Sequence, residues 1–214
     1  MTDRKGLFIS FEGIDACGKS TQAQKLLHDL KAQGRSVLLV REPGGTEISE
    51  AIRALVLNPA NGDMTSMCEL LLLEAARAQL VNERLLPALA QGHIVICDRF
   101  YDSTFAYQYK ARGLDKDLVC AANKLGSCGL VPDISFYFKI DAALAHARLS
   151  THALDRLEGE GMRFQQRVAA GYEELCALEP ERVVAIDANR SIDAIAHDVR
   201  AILAQRVPTI RSGV

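Results

Sequence analysis

Leu7-Phe8-Ile9-Ser10-Phe11 runs into Glu12-Gly13-Ile14-Asp15-Ala16-Cys17-Gly18-Lys19-Ser20-Thr21, and the fold turns on this stretch. A short run that is apolar on both faces reads as a buried parallel strand. It leads directly into the spacing G-x-x-x-x-G-K-S. After that, Ala23, Leu26, Leu27 and Leu30 recur at the i, i+3, i+4, i+7 spacing of an amphipathic helix. Each part of this loop has a physical use. The glycines let the backbone curl so that successive N–H groups point inward at an anion. A helix starting near Gly18 adds its positive end. Lys19 has the length to reach the outer phosphates, and the Ser20 hydroxyl can ligate Mg2+. Residues 13–21 are therefore expected to cradle a nucleoside triphosphate together with Mg2+.

Working outward, the same alternation repeats. Ser36-Val37-Leu38-Leu39-Val40, His93-Ile94-Val95-Ile96-Cys97, Ile134-Ser135-Phe136-Tyr137-Phe138 and Val183-Val184-Ala185-Ile186 read as four further strands. Helical patterns separate them, including Ile192, Ile195, Ala196, Val199, Ile202 and Leu203 near the C-terminus. The pattern gives an α/β doubly wound fold with about five strands. The segment 67–91 is apolar nearly all round, as for a helix that is central or lies in a subunit interface. The polar stretch 148–163, broken by Gly159 and Gly161, is the expected mobile piece.

Length and composition fit this picture. A chain of 214 residues is expected to form one domain, 1–214, with a core large enough to need no disulfide staples. A hydrophobic fraction of 49% with 24% charged residues excludes disorder, collagen and coiled coil. The formal net charge of −2 disfavours a general nucleic-acid binder, so an anionic substrate must meet local positive charge. No apolar run is long enough to cross a membrane, no secretory leader is visible, and a cytoplasmic location is expected. Cys17, Cys68, Cys97, Cys120, Cys128 and Cys176 form no CxxC pair and read as reduced thiols acting as small hydrophobes.

Three uses of such a loop must be separated: a switch GTPase, a motor-like ATPase and a small-molecule kinase. A GTPase needs an NKxD guanine reader, and Asn123-Lys124-Leu125-Gly126 has glycine where the aspartate belongs. A kinase needs a second pocket for a phosphorylated acceptor. Asp98-Arg99, at the end of the third strand, sits at the edge where ligands meet an open sheet. There a carboxylate can hold Mg2+ through water and an arginine can grip a phosphate bidentately. Arg41-Glu42-Pro43-Gly44-Gly45-Thr46 ends the second strand at the same edge. Arg53 and Arg77 lie among mostly apolar neighbours, where a charge needs a partner or a ligand.

Taken together, FEGIDACGKST, REPGGT, EAARAQL, CDRFYDSTFAYQ and the later LDRLE, RFQQRV and GY resemble the bacterial thymidylate kinases in order and spacing, over residues 8 to about 202. The resemblance implies a three-layer P-loop NTPase fold, α/β with a five-stranded parallel sheet flanked by helices and a small mobile lid at 148–163. It implies transfer of the ATP γ-phosphoryl to dTMP with Mg2+, Ser20 and Asp98 being the metal-side residues. It places Asp15 near the acceptor's sugar 3′-hydroxyl and Arg53 and Arg99 on the acceptor phosphate. Arg77 and Gln108, with Ser103 and Thr104 nearby, face the thymine, and Glu42, Pro43, Leu73 and Tyr107 complete the acceptor side. Asn189 and Arg190 belong to the loop that closes the adenine pocket. The resemblance also implies a homodimer. Some members carry an arginine in the loop where this chain has Ala16, so the catalytic cation must come from the lid. Arg148 and Arg156 are the candidates, Arg156 being favoured by its place in LDRLE; on a helix, Arg148, His152 and Arg156 would share one face. Many members place an aromatic ring at the position of Leu73, to stack on thymine. With Leu73 there, either thymine is held less tightly or another ring has moved in, Phe105 and Tyr109 being the candidates, and Glu74 is expected to point away from the base.

Overall fold

The computed structural model describes residues 5–149 and 155–207. Among these residues the strands β1 (Leu7–Glu12), β2 (Val37–Arg41), β3 (Ile94–Asp98), β4 (Ile134–Lys139) and β5 (Val183–Asp187) form one parallel sheet in the order β2-β3-β1-β4-β5. Each strand lies within a residue or two of its expected place. The central strands β1, β3 and β4 are buried on both faces, which explains why they read as apolar runs without alternation, while the edge strands β2 and β5 are only partly covered. One core contains Phe11, Phe136, Phe138 and Tyr172, and the other contains Phe8, Val95, Cys97, Phe100 and Leu85.

The helices α1 (Lys19–Ala32), α2 (Glu47–Leu57), α3 (Ser66–Leu80), α4 (Leu86–Ala90), α5 (Tyr101–Thr104), α6 (Lys116–Gly126), α7 (Ala142–Leu149), α8 (Met162–Leu178) and α9 (Ile192–Arg206) connect and cover these strands. Side-chain caps start several of them. Thr46, the last residue of REPGGT, accepts from the Ser49 N–H to open α2, and Asp115 and Ser191 do the same for α6 and α9. The segment 67–91 is one helical run, α3 and α4 joined by a π-helical turn at Val81–Leu85. A second π turn, Phe105–Ala111, extends α5. Asn123-Lys124-Leu125-Gly126 lies inside α6 and not in a nucleotide-reading loop, which removes the GTPase reading.

Register places the chemistry. Phe11 pairs with Asp98 and Arg41 pairs with the same Asp98, so the ends of β1, β2 and β3 emerge side by side. The expected lid is only partly helical. α7 is described as far as Leu149, and Arg156 lies in a turn before a short 3-10 turn at Glu158–Glu160, so Arg156 is not on a helix face shared with Arg148. Residues 150–154, including His152, lie outside the described residues. The cysteines are unpaired, but only Cys17 and Cys97 are buried. Cys68 and Cys120 are exposed on the outer faces of α3 and α6 and Cys128 in the turn after α6, so the expectation of core-like thiols fails at these three. No helix among the described residues is long and apolar enough to cross a membrane.

α8 packs closely on the second π turn through Gly171. A Cβ there would meet the Ala106 Cα at 2.8 Å and the Lys110 Cβ at 3.0 Å. Gly171→Ala would gain about 1 kcal/mol of helix propensity. Overpacking against backbone costs typically 1–3 kcal/mol. The variant is therefore expected to be less stable by about 1 kcal/mol, which thermal unfolding reads as a fall in Tm of roughly 2–4 °C.

Candidate active site

The phosphate loop hangs from the end of β1. Gly13 has φ 144° and Gly18 has φ 96°. At Gly13 a side chain is excluded twice, since a Cβ would also lie 2.9 Å from the Phe138 carbonyl. Ala16 holds φ 59°, a left-handed value that costs a residue with a Cβ on the order of 1 kcal/mol. The Lys19 ammonium, 6% exposed, donates to the Ile14 carbonyl at 2.9 Å and closes the loop on itself. Ser20 Oγ donates to Asp98 Oδ2 in a short hydrogen bond, so the two residues assigned to the metal side touch.

Two clefts flank this loop. The first, about 930 Å³, is lined by 16–22, Ala188, Arg190, Ile192, Ile195 and Arg148, whose Nη1 donates to the Ala16 carbonyl at 3.3 Å. Gly13 and Ile14 do not line it; their carbonyls accept from Arg99 and Lys19. Asn189 does not line it either, because its amide is taken by Asp187 at 2.8 Å. Arg190 lines it while paired with Asp198.

The second cleft opens on the other side of the loop. Every residue assigned to the acceptor lines it: Asp15, Glu42, Pro43, Arg53, Leu73, Arg77, Arg99, Ser103, Thr104, Tyr107 and Gln108. They come from the phosphate loop, from the loop after β2, from α2 and α3, and from the segment after β3. Leu57, Phe100, Asp155 and Leu157 also line it, and sequence reasoning missed them. Phe100 directly follows Asp98-Arg99, a signal that was available. The aromatic rings at the cleft are Phe100 and Tyr107. Phe105 and Tyr109 pack on each other at 4.9 Å, away from it, because the π turn carries their faces outward from the cleft. Glu74 is buried but does not line the cleft, its carboxylate being taken by Arg77.

Arg99 joins the two sides. It holds φ 72°, and its guanidinium donates to Asp15 at 2.5 Å, to the Gly13 carbonyl at 2.8 Å and to Tyr107 and Ser103 at 3.2 Å. Burial pushes the Asp15 carboxyl up, but Arg99 and Lys19 outweigh burial and hold it below its usual range. Beneath them Glu12 is fully buried and accepts from the Phe100 N–H at 2.8 Å and from Ser103 at 2.7 Å. Burial, aided by Asp102, pushes Glu12 up to about 8 against those hydrogen bonds, so it is protonated at neutral pH. Arg77, 3% exposed, donates to Glu42 at 2.8 Å, Glu74 at 2.5 Å and Thr104 at 2.9 Å. Arg53 donates to the Pro43 carbonyl at 2.9 Å.

The structure separates the two lid arginines. Arg148 rests on the phosphate loop. The Arg156 backbone N–H donates to the Leu57 carbonyl at 3.0 Å, and its side chain goes to the Val56 carbonyl at 2.7 Å and to the buried carboxylate of Glu69.

The family model "Thymidylate kinase" matches residues 11–199. A thymidylate kinase of Chlorobaculum parvum is 46% identical over 192 residues, covering 85% of this chain and 88% of the relative. One from Prosthecochloris aestuarii is 44% identical, covering 94% of each chain. One from Geobacter sulfurreducens is 41% identical, covering 95% of this chain and 99% of the relative. With a match this long, and with relatives this similar along nearly their whole length, the chain belongs to the thymidylate kinase family.

Proposed function

We propose that the chain transfers the γ-phosphoryl group of ATP to dTMP, giving dTDP and ADP. The observation that carries this reading is the meeting of two clefts at one set of charges. The phosphate loop lines one and the acceptor residues line the other, with Asp15, Lys19 and Arg99 between them. Phosphoryl transfer of this kind asks a protein for alignment and charge neutralisation more than for covalent chemistry. Lys19 turns from the Ile14 carbonyl to the outer phosphates when the triphosphate enters. Arg99 and Arg53 take the acceptor phosphate. Asp15, held by Arg99 and Tyr107, faces the acceptor sugar. Arg77 and Gln108 face the base, beside Phe100 and Leu73. Ser20 and Asp98 offer hard oxygen ligands at the loop edge, the donor type Mg2+ takes, and would hold that ion. When bound, the ion offsets charge on the β- and γ-phosphates.

Arg148 is the better candidate for the cation at the transferring group, since it already lies against the loop. The assembly we propose is a homodimer formed through α2, α3 and α6. These helices pack side by side and expose Ile48, Leu55, Leu71 and Leu125, an apolar patch of the kind that marks a protein contact. Small-molecule nucleotides are the proposed partners, nucleic acid and membrane are not, and the proposed setting is the cytoplasm, with 1–214 working as one domain.

The direct test is ADP production from Mg-ATP with a panel of nucleoside monophosphates. Turnover that depends on dTMP supports the proposal, and slow hydrolysis independent of any acceptor sinks it in favour of a nucleotide switch. In the same assay Lys19→Ala is expected to fold normally and to lose on the order of 10²–10³ in kcat, the usual effect of deleting one preorganised donor. Arg148→Ala and Arg156→Ala are expected to differ. The first lowers kcat by about tenfold or more, equivalent to about 1.4 kcal/mol, with little change in the KM for dTMP. The second acts mainly on that KM. The opposite pattern would assign the catalytic cation to Arg156.

A further inference from the structure

Glu69 lies on α3, one turn before Leu73, and has no solvent exposure. A buried carboxylate needs partners, and Glu69 has four hydrogen bonds from three side chains. Arg112 donates to both of its oxygens at 3.0 Å, Arg156 donates to Oε2, and the Gln108 amide nitrogen donates to Oε1 at 2.9 Å. Burial pushes the carboxyl upward, but Arg112, Gln108 and Arg156 outweigh it and keep it below its usual range. An ionised carboxylate only accepts hydrogen bonds. The orientation of the Gln108 amide is therefore fixed by chemistry: its nitrogen must face Glu69. Its carbonyl oxygen is then the group left over, and among the described residues that oxygen is buried without a partner. Gln108 lines the acceptor cleft.

We propose that Glu69 is a positioning residue for base selection. Anchored by Arg112 and Arg156, it locks the Gln108 amide so that an unpartnered carbonyl oxygen is reserved for a ring N–H of the acceptor base. A pyrimidine in the keto form, such as thymine, carries that N–H at N3. Cytosine carries a lone pair there and would set acceptor against acceptor. Sites built around one buried hydrogen bond discriminate strongly against analogues that cannot complete it. The proposal rests on the acceptor-cleft reading above.

The test is steady-state kinetics of the full chain with Mg-ATP and either dTMP or dCMP, for Glu69→Gln, Gln108→Ala and the double variant, with thermal unfolding of each. Glu69→Gln permits either amide orientation. It is expected to raise the KM for dTMP about tenfold and to lower the preference for dTMP over dCMP. The KM for ATP should hold, and kcat should change much less than the KM for dTMP. In the Gln108→Ala background Glu69→Gln should add little, because the two residues act as one unit. If Glu69→Gln does not fold, Glu69→Asp keeps the charge that the arginines require but withdraws the carboxylate by one methylene, and the same kinetic pattern is expected. Equal, additive losses in both backgrounds, or an unchanged dTMP preference, would overturn the proposal alone. An unchanged KM for dTMP in Gln108→Ala would overturn the acceptor-cleft reading and this proposal with it.

Discussion

The Arg99 guanidinium cannot shed its charge, and it is largely withdrawn from water where the phosphate loop meets the second cleft. Removing such a group from water costs several kcal/mol unless its donors find acceptors. Those acceptors are drawn from sequence positions far apart: Gly13 and Asp15 in the loop, Ser103 and Tyr107 after β3, and Tyr172 on α8. The parallel register of β1 with β3 brings them within reach. The left-handed backbone at Arg99 aims the side chain across the sheet edge, a local strain of the kind found where surrounding structure over-determines a site. Satisfying one cation thus ties together the loop, the π turn and α8.

The carboxylates around it divide into two kinds. Asp15 and Glu69 are held ionised by arginines despite burial. Glu12 is pushed up to about 8 and Glu42 to about 7, because burial outweighs the stabilising charges near them. The site is therefore a mosaic in which neighbouring acids differ in how readily they ionise. Arg99 compensates Asp15, Arg77 compensates Glu42, and Arg112 with Arg156 compensates Glu69. For an anionic substrate this matters, since a floor of fully ionised carboxylates would repel it.

The strands and the phosphate loop were legible in the sequence, because each depends on local pattern, whereas the residues of the second cleft were named through the resemblance. A buried strand is an apolar run, and a loop that curls around an anion needs glycines at fixed spacing. What was not legible depends on contacts between distant segments. Glu69 reads as an ordinary polar position near the start of a helix until Arg112, Gln108 and Arg156 converge on it. Leu57, Asp155 and Leu157 reach the cleft only because Arg156 docks against the end of α2. The one-face arrangement of Arg148 and Arg156 assumed a continuous helix, which the turn at 155–157 does not supply. Cys68 and Cys120 show the same limit, since the local sequence does not say which side of a helix faces water.

The π turn at Phe105–Ala111 holds one more residue than an α-helix would across the same span. Its closing bond runs from the Arg112 N–H to the Tyr107 carbonyl at 2.8 Å. Such bulges are frequent at functional sites because they re-aim side chains. Here the extra residue lets Tyr107 and Gln108 face the cleft while Arg112 still comes round to Glu69. An insertion of this size cannot be approached gradually: a helix either has the added residue or lacks it, and each residue turns everything beyond it by about 100°. The segment is therefore a point of evolutionary rigidity. Amino acids in it can be exchanged one at a time, but its length can change only together with the partners on α3 and α8.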